Sequence, residues 1–232
     1  AICNEKTGVP CFFYRFPLDD LMAKAMVDEE IVRHQLKTLL PAALILVFAL
    51  ATVAQAQTLR LREVGTGQTR IVAQVGQTIE IEVLADLQGV SSAGSSFFIS
   101  IPDREFFEVR DFGIPGVAGV QPFRQGPLFA GGVEVSNSVL PESDPVAAQL
   151  NGQQLDYGAV IGLGGDRERT GTGVIATFSL LCLKPIENGA LDIDDNPIRE
   201  TRLVLSDGVS EARYRTTQGM EITVTGIELR DI

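Results

Sequence analysis

The sequence predicts an all-β protein, a two-sheet antiparallel β-sandwich of jelly-roll type with about nine to ten strands, preceded by a signal-peptide helix. Three observations carry this reading. Apolar and polar residues alternate from Thr58 onward, the period of a half-buried strand. Clusters of Gly, Pro, Asn and Asp punctuate the alternating stretches, as turns do. No stretch keeps a helical period over three turns, so the strands lack crossover helices and must pair antiparallel in packed sheets.

The first quarter of the chain is of another kind. Residues 1–31 read as an untranslated or disordered leader ahead of a start near Val32. LLPAALILVFALA, from Leu39 to Ala51, carries no charge and is short for a membrane-spanning helix. Arg33, His34 and Lys37 precede it, and Ala54-Gln55-Ala56 follows. Small residues at alternate positions suit a signal peptidase, so residues 32–56 read as a secretory signal peptide cleaved between Ala56 and Gln57. Residues 57–232 then form one domain of a secreted or cell-surface protein. A domain of that size buries about 70% of its unfolded surface and needs no staples. Cys3 and Cys11 fall in the removed part, which leaves Cys182 alone and excludes an internal disulfide.

The strands follow in order. Leu59 to Val64 and Arg70 to Val75 alternate around a Gly-rich turn, and Ile79, Ile81 and Val83 face one way while Glu80 and Glu82 face the other. Ser95 to Ile101, Phe106 to Arg110, Gly132 to Ser136 and Leu155 to Leu163 come next. Gly173 to Leu183 is apolar on both faces and reads as a central strand, with Cys182 on the side of Phe178 and Leu180 as a buried small hydrophobe. Arg202 to Leu205 and Met220 to Thr225 complete the set. Two long connections interrupt it, residues 111–127 and 137–154. In the second, Asp144 as N-cap, Pro145 at the first helical position and Gly152 past the end predict one or two helical turns.

Three segments resemble a known family. Gly76 to Val83 (GQTIEIEV), Ser95 to Val109 (SSFFISIPDREFFEV) and Gly171 to Leu180 (GTGVIATFSL) are similar, in order and spacing, to the cohesin-like β-sandwich of secreted bacterial proteins, with the match covering residues 70–226. The family's Tyr-Asp-Pro is Ile101-Pro102-Asp103 here. The resemblance implies a nine-stranded jelly roll related to cellulose-binding modules, a fold that in cellulosome scaffolds docks a dockerin module through one sheet face.

Composition narrows the chemistry. The formal net charge of −11 opposes a nucleic-acid surface. His34, the chain's single His, lies before the domain, so histidine-based triads and zinc sites have no ligands there. Gly162 to Gly173 looks like a phosphate loop, but a β-branched run follows it where a helix would be required. Asp192, Asp194, Asp195 and Asn196 have oxygen-ligand spacing, yet Pro197 and Leu203 stand where an EF-hand needs Gly and Glu. A solvated turn is the expectation there, with an irregular calcium site as the alternative and no other cofactor. Carboxylate pairs such as Glu105 with Glu108 carry no catalytic signature. Phe123 and Arg124, beside a Gly- and Pro-rich loop, together with Tyr157, are the candidate binding residues.

A non-catalytic binding module is therefore expected, acting on a protein partner, either dockerin-like or a surface protein. The chain has no Trp and few Tyr for a sugar platform, which places a carbohydrate-binding (polysaccharide) groove second. Self-association through sheet edges or faces is the third expectation.

Overall fold

In the computed structural model, residues 57–113, 117–145, 147–162, 168–195 and 199–226 are described. The leader, the signal peptide with Ala54 and Ala56, and Asn196 lie outside them. Among the described residues fourteen strands run in chain order: β1 (Thr58–Glu63), β2 (Arg70–Gln74), β3 (Thr78–Asp86), β4 (Ser92–Ile101), β5 (Phe107–Val109), β6 (Phe123–Gln125), β7 (Val133–Val139), β8 (Gln153–Val160), β9 (Thr172–Cys182), β10 (Ile186–Asp194), β11 (Arg202–Leu205), β12 (Glu211–Arg213), β13 (Thr216–Gln218) and β14 (Met220–Thr225). Ten of them are the stretches read from the sequence. The other four are β6, β12 and β13, of three residues each, and β10, of nine.

The strands form two sheets. One runs β13-β1-β3-β9-β5, with β6 beside β5 along the same edge of β9. The other runs β12-β11-β4-β10-β14-β2, and β8 and then β7 extend it from the far side of β4. Pairing is antiparallel except for β1 with β13 and β2 with β14. The two parallel pairs share a cause: β13 and β14 are one extended run that changes sheets at Gly219.

Alternation delivers one face of most strands to a shared core. Ile79, Ile81 and Val83 of β3 meet Phe97, Ile99 and Ile101 of β4, Leu155 and Tyr157 of β8, and Phe178 and Leu180 of β9 in one cluster. Phe97, Phe123, Tyr157 and Phe178 stack edge-on or tilted at 5.1 to 5.5 Å between ring centres, the aromatic geometry that adds to plain burial. Phe106 packs against this cluster half-buried, and Phe112 is half-buried near the surface.

The predicted helical turns are a short 3-10 turn, Ala147–Gln149. Asp144 caps it as expected, its Oδ1 accepting the Ala147 N–H at 3.2 Å. Gly152 has φ +74° just beyond, where a side chain would be strained. Among the described residues no helix is long and apolar enough to cross a membrane.

Candidate functional site

The outer face of the eight-stranded sheet is built around β4. Alternation turns Ser96, Phe98 and Ser100 outward while their neighbours enter the core. Register then fixes what flanks them. Gly158 and Arg202 stand beside Ser96, Asp156 and Asp194 beside Phe98, and Gln154 and Asp192 beside Ser100. A phenylalanine between two carboxylates on a solvent-facing sheet is a poor arrangement unless something covers it.

Arg199 covers it. Ahead of β11, Thr201 pins the backbone to this face: its hydroxyl donates to the Asp194 carbonyl at 2.5 Å and accepts the Phe98 N–H at 3.4 Å. The Arg199 guanidinium carbon lies 4.4 Å from the centre of the Phe98 ring, a cation–π contact. Its Nη1 donates to Gln154 Oε1 at 3.0 Å, and the residue is 3% exposed. A cation this buried on the solvent side of a sheet must be compensated. Asp156, Asp194 and Asp144 supply the opposite charge.

Burial dominates the titration of the cluster. It raises the Asp156 carboxyl above its ordinary value, against the Ser136 hydroxyl and the Arg199 charge. It raises Asp194 as well, against Ser100 and Arg199, and the charge of Asp192 pushes the same way. Hydrogen-bond bookkeeping agrees for Asp194. Ser100 Oγ lies 2.9 Å from Gln154 Oε1 and 2.7 Å from Asp194 Oδ2. Arg199 fixes that Gln154 oxygen as an acceptor, so a single hydroxyl proton faces two acceptors.

The residues singled out from sequence fall in several places. Asp192 and Asp194 lie on β10, which corrects the solvated-turn reading: Leu191 and Ile193, on either side of Asp192, are drawn into the core and hold the segment extended. Asp195 follows, 4.0 Å from Arg213. Among the described residues no group of three or more His, Cys, Asp or Glu is placed to hold a metal ion. Phe123 and Tyr157 are 2% and 0% exposed, so the expectation that they anchor a ligand from a loop is corrected. Asn137 of β7 brackets the Phe123 backbone, accepting its N–H at 3.0 Å and donating to its carbonyl at 2.9 Å, which turns the ring inward. Tyr157 keeps only its hydroxyl near the surface, donating to Glu134 Oε1 at 3.3 Å. Arg124 is exposed, 3.9 Å over the Phe112 ring. Gln57 lies at the start of the domain, its carbonyl accepting the Arg215 N–H at 2.9 Å. Cys182 is buried, and burial pushes its thiol up to about 11.

Beside the arginine cluster, at one end of the sheet, lies a cleft of about 450 Å³ between the β4–β5 turn, the 150–152 loop and β10. Asp103, Asn151, Asn188 and Asp192 offer hydrogen-bonding groups there, and Phe106 and Leu150 an apolar wall. Sequence reasoning missed Phe98, Asp156 and Arg199 as a unit, because nothing local marks a cation that a distant pair of strands will bury.

The two-sheet fold as a whole aligns with solved cohesin domains. A type II cohesin of Bacteroides cellulosolvens aligns with a TM-score of 0.52 over 72% of this chain and 99% of that one, at 15% identity. The fold is cohesin-like. A chain of a type II cohesin–X–dockerin complex from Acetivibrio cellulolyticus aligns with a TM-score of 0.52 over 73% of this chain and 99% of that one, at 16% identity. A type II cohesin domain from the cellulosome of the same organism gives 0.50 over 72% and 95%, at 15%. No family profile matches the chain, and no characterised protein matches it in sequence. The cohesin-like likeness is thus one of architecture.

Proposed function

We propose that this chain is an exported, non-catalytic binding module that docks a protein partner through the outer face of its eight-stranded sheet. The observation that carries the reading is the Arg199 cluster. Folding stability alone has little use for a buried guanidinium and carboxylates outside the core, since desolvation offsets most of their attraction. Recognition has a use for them. Side chains locked in advance lose little freedom when a partner arrives, and this cluster holds Phe98, Gln154, Ser100 and both flanking aspartates in one arrangement. The cohesin-like fold supports a protein partner, because one of the aligned structures is a complex with a dockerin. Export rests on the signal-peptide reading of residues 32–56, and sequencing the N-terminus of the secreted protein checks it, with Gln57 expected first.

The cleft beside Asp192 favours a second reading, a polysaccharide groove, since paired carboxylates and amides beside an apolar wall suit sugar hydroxyls and ring faces. Immobilised protein presented with a panel of dockerin modules, and separately with insoluble polysaccharides and a glycan array, decides between the two. Retention of a dockerin module is expected. Strong glycan binding with no protein captured would overturn the leading reading.

A further inference from the structure

The edges of the two sheets are not alike. β5, β6, β12 and β13 are three residues long, and short edges pair poorly with other chains. β7 is longer, but a register shift between Glu134 and Ser136 kinks it. Its second half is tied down by Asn137 to Phe123 and by the Val139 N–H to the Val120 carbonyl at 3.2 Å. β2 has none of these guards. Its five residues, RIVAQ, contain no Pro, no Gly and no inward charge, and among the described strands only β14 pairs with it.

The ladder shows which backbone groups β2 leaves over. The Thr69 carbonyl accepts the Glu221 N–H, and the Val75 N–H donates to the Thr225 carbonyl. In a parallel ladder alternate residues bond the same neighbour. Thr69, Ile71, Ala73 and Val75 therefore face β14, and Arg70, Val72 and Gln74 turn their N–H and C=O groups to the open side. Gln77 covers Gln74, its side chain accepting the Gln74 N–H at 3.1 Å and its own N–H donating to the Gln74 carbonyl at 3.0 Å. The side chain at the middle of the open edge, Val72, is 73% exposed, more than any other large hydrophobic in the described strands.

We propose that the β2 edge is a self-association site, where two copies of this chain pair antiparallel about a two-fold axis through Val72. The strand is self-complementary in that register. Each Val72 meets its counterpart, Arg70 faces Gln74, and Ile71 faces Ala73 on the core side, a large residue against a small one. Charges agree with it: Arg70 is already paired with Glu221 at 3.0 Å, and no two like charges stand opposite across the axis. The Val72 pair exchanges two backbone hydrogen bonds. Four more form between Arg70 and Gln74 once the exposed Gln77 side chain gives up its bond, because the Gln74 carbonyl has a second lone pair. A five-residue strand pair buries well under the roughly 1,200 Å² of a standard interface, so the dimer is weak, with Kd on the order of 0.1–1 mM. The net charge of −11 opposes it, and salt screening strengthens it. The proposal is independent of docking through the sheet face.

Sedimentation of the purified protein from about 10 µM to about 1 mM, at low and at raised salt, tests it. The expected result is a weight-average mass rising toward about twice the monomer value, earlier at raised salt. Val72→Lys, which puts two ammonium groups face to face at an exposed position, abolishes the rise with thermal unfolding unchanged, and Val72→Ile keeps it. Amide exchange at Val72 slows only at high concentration. A monomer at every concentration, or a dimer indifferent to Val72→Lys, overturns the proposal.

Discussion

Replacing Arg199 by Ala tests whether the outer-face cluster is the compensated unit its geometry describes. Three interactions go at once: the hydrogen bond from Nη1 to Gln154, the cation over Phe98, and the opposite charge beside Asp156 and Asp194. A hydrogen bond to a charged group contributes about 1.5–3 kcal/mol, and a desolvated cation–π contact about 1–2 kcal/mol. Removing one partner of a buried ionic cluster costs about 3–5 kcal/mol in all, so about 3 kcal/mol is expected near neutral pH. For a domain of this size that lowers the melting temperature by roughly 6–12 °C. Arg199→Lys keeps the charge without the planar fork and loses about half as much. Urea unfolding followed by circular dichroism at about pH 5 and about pH 7 measures both the loss and its cause. At the lower pH the unpaired aspartates take up protons and the difference from the parent shrinks. A loss under about 1 kcal/mol, or one that grows on acidification, would refute the cluster.

The remaining predictions concern the same fold. Asp156 and Asp194 bind protons more readily folded than unfolded, so they reduce stability as pH rises from the ordinary aspartate value through their raised folded values. Asp194→Asn, which imitates the protonated form, flattens that slope and raises stability at neutral pH, read from melting curves across pH. Asp111 and Asp207 act in the opposite sense. Backbone N–H groups of Gln121 and Gly113 lower the first, and the Ser210 hydroxyl with the Val209 and Ser210 N–H groups lower the second; their contribution is present above the ordinary aspartate value and is lost as pH falls through the lower one. Cys182, buried with its thiol pushed up to about 11, resists thiol reagents in the native protein and reacts fully in denaturant; rapid native labelling would contradict its placement. Gly152→Ala destabilises by about 2 kcal/mol or more, measured by urea titration, because φ is +74° and the added Cβ would run into the Ile101 carbonyl.

Most of the sandwich was legible because burial imposes a period of two on any strand that closes a core. β3 and β14 declare it outright. β10 hides it: the bulge at Asn188, with φ +53°, interrupts the alternation, and Asp192 to Asn196 then imitate a turn. The pairing of β10 with both β4 and β14 overrides that local polarity. Phe123 misled in the opposite direction. Its Gly and Pro neighbours suggested exposure, and only the contact with Asn137, fourteen residues away, turns it inward. Arg199 had no local signature, since its burial depends on Phe98, Gln154 and Asp156, brought together by register across β4 and β8.

The outer face of the eight-stranded sheet is the proposed docking surface for a protein partner. Titrating a retained dockerin module against two single-site variants, by calorimetry, is its most direct test. Ser138→Arg plants a bulky side chain on that face, in β7, and Glu80→Arg plants the same group on the outer face of the other sheet, in β3. A loss of at least about tenfold in affinity is expected for the first and a change within about twofold for the second. Undiminished binding by Ser138→Arg, with binding lost in Glu80→Arg, would contradict it.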